Sequence, residues 1–315
     1  MSINNQTAAV KNNNNLASLL NNVYIVLFIE LVIVKGPYSA VSKLVLKNLD
    51  SFQATFYMFG IAVLVFTIIF VRNGKIKELF RISLKDYIFM LIYSVPYFLS
   101  VFFGLLAYQR IPASEVIILT YLYPVMITLF AVPINGEKLN LVKVCSVFIG
   151  LIGMVIIVTK GNLHEFSITN ISGDIFAIGG AIAYAIFSTM GKKNRIDVNI
   201  SNYVCIFISF VLSAAVMFMF SKFTVPENSA LIGILWIGIN NGAVSIYLWI
   251  RALKLAPASV VANIAFLVPF ISLVFIRIFI GEKILLVQLI GFSIVIAAIL
   301  LQNIYNYSRP KALNT

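Results

Sequence analysis

The sequence predicts an all-α membrane protein of ten transmembrane helices, arranged as two inverted halves of five. Three observations predict it. Apolar runs of about twenty residues follow one another along most of the chain, each long enough for a helix to cross the ~30 Å hydrocarbon core. Charge is scarce, with 61% of residues hydrophobic and 11% charged, against roughly 25% charged in a soluble domain. A stretch beginning at Pro112 also recurs, without a gap, 145 residues later at Pro257.

Lipid offers the backbone no partners, so spanning segments are helices or closed barrels. Barrel strands alternate polar and apolar residues, and these runs do not. The runs place helices at residues 22–46, 52–71, 86–106, 113–134, 141–158, 173–190, 202–220, 230–250, 258–280 and 285–305. Residues 1–21 are polar and Asn-rich, a disordered tail by composition without the pattern of a cleavable leader. Residues 22–160 form the first repeat, 161–172 a connecting loop, 173–305 the second repeat and 306–315 a C-terminal tail.

The net charge of +12 is explained by loops retained in the cytoplasm. With both termini inside, the inner loops carry Arg72, Lys75, Lys77, Arg81 and Lys85, then Lys192, Lys193 and Arg195, then Arg251 and Lys254, with Arg309 and Lys311 in the tail. The outer loops hold only Lys47, Arg110, Lys160, Lys222 and Lys283. The expected location is the cytoplasmic (inner) membrane, with both termini cytoplasmic. No basic domain stands apart from the apolar segments, which excludes nucleic acid as a partner.

The repeat is specific. Pro112-Ala113-Ser114 matches Pro257-Ala258-Ser259, and at the same shift Val116 meets Val261, Leu122 meets Leu267, Pro124 meets Pro269 and Phe130 meets Phe275. Gly136-Glu137-Lys138 meets Gly281-Glu282-Lys283. Five helices per half is an odd number, so the second copy starts on the opposite side of the membrane. Inverted repeats of this kind mark secondary transporters. The competing explanation is duplication for bundle stability alone.

A helix opening with Pro-Ala-Ser, a proline in its middle (Pro124, Pro269), a Gly-Glu after it and then a glycine-containing helix resemble the EamA family of the drug/metabolite transporter superfamily. The resemblance implies ten helices in a 5+5 inverted repeat around a central cavity, and transport without ATP hydrolysis. The sequence has no P-loop pattern. Members of the family move amino acids, nucleotide-like metabolites and drugs. Where they often carry Trp-Gly in the first helix, this chain has Glu30 and Lys35-Gly36-Pro37.

Glu30 lies near the middle of the first helix, where a charge costs about 2.5–3.5 kcal/mol on insertion scales. Two readings stand. Either it lines the cavity, as a proton-coupling carboxylate or a counter-charge for a cationic group, or it forms a structural ion pair with Lys35 or another base. Lys35 is five residues on, which in an α-helix is not squarely on the same face. Pro37 kinks this helix. The 145-residue shift pairs Pro96 with Asn241, Tyr97 with Gly242 and Ser100 with Ser245. Polar or helix-breaking residues at matched depths point to a transporter binding site. Asn240 and Asn263 join on the same reasoning, against the alternative of ordinary interhelical hydrogen bonds. Tyr97, Tyr121 and Tyr184 are aromatics able to stack on a substrate, whereas Tyr247 and Trp249 suit the interfacial belt. Pro96, Pro124 and Pro269 read as hinges. Gly136 and Gly281 suit helix C-caps, and Glu137 and Glu282 suit the N-terminus of the next helix. Gly179-Gly180 permits close packing.

Other functions lack their residues. The lone histidine, His164, falls in an outer loop, which removes His-based triads and zinc motifs. Cys145 and Cys205 read as packing. No cofactor or metal is expected. A channel would need oligomeric symmetry or a charged pore ring. The expected function is export or exchange of small polar metabolites, amino acids foremost, by alternating access. The alternatives are proton-coupled extrusion of lipophilic cations and, from another class, an intramembrane enzyme. The expected partners are a small-molecule substrate, the bilayer and protons as coupling ion, with monomer and homodimer both open.

Overall fold

The computed structural model describes residues 22–308 apart from 75, 80, 139, 163–169 and 281–282, and only the backbone at 229, 276–280 and 306–308. The 1–21 tail, Lys75, His164, Gly281-Glu282, Arg309 and Lys311 lie outside the described residues.

Ten helices are long and apolar enough to cross a membrane: α1 (Val23–Val45), α2 (Ser51–Arg72), α3 (Leu84–Arg110), α4 (Ala113–Asn135), α5 (Leu141–Val158), α6 (Ile171–Lys193), α7 (Val198–Phe220), α8 (Ala230–Leu255), α9 (Ala258–Phe275) and α10 (Leu286–Tyr305). Several run past their expected ends. α8 extends through Arg251 and Lys254, and α6 through Lys192 and Lys193, because cations in a last helical turn face the helix's own unpaired carbonyls favourably. Arg110 likewise closes α3, its guanidinium donating to the Leu106 carbonyl at 3.1 Å.

Six helices start on side-chain caps: Asn22, Asp50, Ser83, Asn140, Asn170 and Asp197 each accept a backbone N–H of the first turn, a contact worth about 1 kcal/mol. Asp50 and Gln53 complete a reciprocal capping box. The two Pro-Ala-Ser helices, α4 and α9, begin after Pro112 and Pro257 with no cap of their own.

The packing follows the inverted repeat. α6 lies along α3 as α1 lies along α8, while α2 packs on α7, α4 on α9 and α5 on α10, each on its own counterpart. At the α5–α10 contact two facing glycines let the backbones approach closely. A Cβ on Gly153 would sit 2.7 Å from the Gly291 carbonyl, and one on Gly291 2.7 Å from the Gly153 carbonyl. The chain is therefore a ten-span, 5+5 bundle. Both described ends lie on one face, here the terminal face, which also carries the α2–α3, α4–α5, α6–α7 and α8–α9 connections.

Candidate functional site

The site is built where two helices depart from α-helical winding. In α1 residues Glu30–Lys35 form a π-helical turn, closed by Gly36 N donating to Leu31 O at 3.0 Å. Pro37 follows; it has no N–H to continue the ladder, and the chain re-enters α-helix at Tyr38. In α8 residues Gly238–Ser245 are π-helical. Such bulges gather at functional sites, and here the two pack against each other.

π winding corrects one expectation. It links residues five apart, so Lys35 lies beside Glu30 after all, Nζ 4.0 Å from Oε1. The Ser245 hydroxyl donates to the same oxygen at 2.6 Å. Glu30 is wholly buried, and its Oε2 has no hydrogen-bond partner among the described residues. The Lys35 side chain is 24% exposed. It points into a central cavity of about 140 Å³, and its ammonium lies 5.3 Å from the centre of the Tyr184 ring. A buried cavity of about 150 Å³ holds one benzene ring, which sets the size of group this chamber takes.

Tyr184 belongs to an aromatic wall. Its ring lies 4.9 Å from Tyr123, edge-on, and 5.4 Å from Trp249. Tyr121 continues the wall at 5.5 Å from Tyr123, and Tyr97 packs 4.6 Å from Phe187 across the chamber. Trp249 donates its indole N–H to Ser188 at 2.9 Å, and Ser188 donates to the Tyr184 carbonyl at 2.7 Å. These two bonds hold the Tyr184 platform. Trp249 is 1% exposed and so is not an interfacial-belt residue; α8 runs five residues past its expected end, which carries Trp249 into the bundle. Tyr247 is half-buried against the same core.

Of the sequence-predicted residues, Lys35, Tyr97, Ser100, Tyr121, Tyr184, Asn241 and Ser245 line the cavity together with Pro269, and Glu30 stands directly behind Ser245. Asn241 is buried with its Oδ1 unpaired among the described residues. Two do not join. Asn240, one position round the helix, donates back to Trp236 O at 3.1 Å. Asn263 faces α10, donating to Gln302 at 2.7 Å. Sequence reasoning missed Tyr123, Tyr38, Tyr108, Ser39 and Ser272, all lining residues. Ser272 donates to the Gly36 carbonyl at 2.8 Å, where the α1 break leaves an acceptor open.

The prolines act at helix restarts rather than mid-helix kinks. α4 breaks at Tyr121-Leu122 and resumes at Tyr123 with Pro124 in its first turn, and α9 passes through a 3₁₀ turn at Ala265–Leu267 and resumes at Val268 with Pro269. A first-turn N–H has no intrahelical acceptor, so proline is tolerated there. Pro37 ends the π turn of α1. Pro96 differs, because α3 continues through it unbroken.

The two ends of the chamber differ. Away from the terminal face it meets a vestibule of about 640 Å³ between α1, α4, α5, α9 and α10, with Ser39, Ile117, Pro269 and Ser272 common to both. Toward the terminal face α9 is packed, with Ala258, Val261 and Ala262 buried and none of them lining the chamber.

This geometry has known relatives. An uncharacterized transporter of Archaeoglobus fulgidus is 26% identical over 265 residues, 82% of this chain and 90% of the relative. The uncharacterized transporter YyaM of Bacillus subtilis is 24% identical over 288 residues, 89% of this chain and 92% of the relative. More distantly, the aromatic amino acid exporter YddG of Ancylobacter novellus is 22% identical over 173 residues, 54% of this chain and 60% of the relative. A crystal structure of 18% identity superposes on 90% of this chain and 98% of its own with a TM-score of 0.75, a likeness of fold. The EamA-like transporter family model matches residues 22–159 and again 171–304, so this multi-pass membrane chain, with its two repeats, belongs to the EamA-like transporter family.

Proposed function

We propose that this transporter exports or exchanges small zwitterionic metabolites, amino acids foremost, by alternating access. One observation carries the reading: the Lys35 ammonium stands at the head of an aromatic chamber with the Glu30 carboxylate buried beside it. Lys35 offers its ammonium to the carboxylate of a zwitterion, Glu30 supplies a negative charge just behind Ser245 in the chamber wall, and Tyr121, Tyr123 and Tyr184 offer ring faces to its side chain. The name of the YddG relative, an aromatic amino acid exporter, agrees with such a substrate.

A lipophilic cation is the weaker reading. The face of Tyr184 that would receive it already holds the Lys35 ammonium, and two cations at one ring repel. The membrane is the cytoplasmic (inner) one, and the terminal face is cytoplasmic on the balance of Lys and Arg. Protons are the coupling ion, with Glu30 their carrier.

Ligand-induced thermal stabilisation of purified protein tests the substrate class. A ligand at a hundredfold its Kd stabilises by about 2.7 kcal/mol. Aromatic and large neutral amino acids are expected to raise Tm. A rise with lipophilic cations and none with any amino acid would overturn the reading.

A further inference from the structure

We propose that Glu137 latches a gate on the terminal face, and that transport requires this latch to open. Glu137 stands in the α4–α5 connection, just past Gly136, whose φ of +69° makes it the left-handed C-cap of α4. Its carboxylate does not serve the next helix, as sequence reasoning expected, because Asn140 already caps α5. It reaches across to the other repeat. Oε1 accepts the Ala258 N–H at 2.7 Å and Oε2 accepts the Ser259 hydroxyl at 2.9 Å. Glu137 thus supplies the cap that α9 lacks, where a negative charge is favoured by the helix dipole. Lys143 lies 3.7 Å and Lys192 4.0 Å from the carboxylate.

The repeat supplies a counterpart on the opposite face. Lys192 donates to the Leu253 and Ala256 carbonyls at the end of α8. The 145-residue shift carries these to Tyr108 and Ile111 at the end of α3, and Lys43 donates to both. The two lysines therefore hold equivalent places on opposite faces. Around Lys192 the Pro-Ala-Ser helix start is capped and Ser259 is buried. Around Lys43, Ser114 is exposed in the wall of the vestibule, and Glu282, which the 145-residue shift sets opposite Glu137, lies outside the described residues. The serine of the motif is thus buried on the terminal face and exposed on the other. The latch ties α4, α6 and α9 together on the terminal face.

The inference rests on alternating access and on no particular substrate, so its test uses none. Single reporter cysteines go into a Cys145→Ser background at Ala262, buried one turn from the latch, and at Ser114. A membrane-impermeant maleimide is applied to full-length protein in sealed vesicles of each orientation. Glu137→Ala is expected to raise labelling at Ala262→Cys and lower it at Ser114→Cys, each by roughly ten- to a hundredfold, the range for loss of a hydrogen bond to a charged group. Glu137→Gln is expected to fall between. Ser259→Ala, which deletes one bond and no charge, is expected to shift both reporters the same way by less, and it carries the test if Glu137→Ala does not fold. Unchanged labelling at both reporters, or a rise at both, would overturn the latch. Loss of the amino acid reading would leave these reciprocal shifts unaltered.

Discussion

Ser245 donates its hydroxyl to Glu30 across 2.6 Å, joining the last residue of one π-helical segment to the first residue of another. The bond unites the two repeats at the depth where both α1 and α8 unwind. The second carboxylate oxygen remains buried and without a hydrogen bond among the described residues, free to take a proton.

Glu30→Gln keeps the side-chain shape and an acceptor for Ser245 while removing the charge. Transport is expected to fall by roughly tenfold or more, the scale of a lost hydrogen bond to a charged group. An imposed pH gradient is expected to drive the wild type and leave the variant unaffected. Flux in proteoliposomes with and without the gradient reads both. A variant that responds to the gradient as the wild type does would show that Glu30 is not the proton carrier.

Lys35→Met leaves Glu30 buried without its counter-charge. Breaking a fully buried pair costs about 3–5 kcal/mol. Lys35 is partly exposed and 4.0 Å away, so a loss of about 1–3 kcal/mol is expected, after discounting for solvent screening. The double variant Glu30→Gln/Lys35→Met is expected to recover stability and not transport. Thermal unfolding in detergent, set beside flux, separates the two effects.

Tyr184→Phe keeps the ring that faces Lys35 and is expected to keep transport. Tyr184→Ala removes the platform and is expected to raise KM roughly tenfold, in line with an aromatic contact of about 1 kcal/mol or more. Trp249→Phe deletes the donor to Ser188 and is expected to lower stability by about 1 kcal/mol. Equal KM values for the Phe and Ala variants at Tyr184 would remove its ring from substrate binding.

At the α5–α10 contact, Gly153→Ala places a methyl 2.7 Å from the Gly291 carbonyl. Overpacking of this kind costs about 1–3 kcal/mol. A lower Tm with unchanged KM is expected, since neither α5 nor α10 lines the central chamber.

The spans and the repeat were legible in sequence because hydropathy over a ~20-residue run reports directly on the solvent of a helix, and because Pro-Ala-Ser and Gly-Glu-Lys recur in one register. Ser100, Asn241 and Ser245 were legible because matched mid-helix polar positions fall at one depth in both halves. What failed did so where local winding or distant packing decides. α-Helical spacing puts Lys35 off the Glu30 face because it does not anticipate a π turn. Asn240 neighbours Asn241 in sequence, although one residue's rotation turns it to its own helix. Hydropathy ends α8 too early to carry Trp249 into the bundle. Proximity in sequence sets Glu137 on the next helix, whereas the N-terminus it caps is 121 residues away. Tyr123 reaches the chamber wall through the break at Tyr121-Leu122 and the Pro124 restart, which hydropathy does not show.

Substrate counterflow in proteoliposomes tests the central claim most directly. Purified protein is loaded with one unlabelled amino acid at a time, and uptake of the labelled compound is followed against protein-free liposomes. The account predicts transient accumulation driven by internal aromatic or large neutral amino acids, abolished by Glu30→Gln. Folded, inserted protein that shows no counterflow with any amino acid, and does show it with a lipophilic cation, would contradict the account.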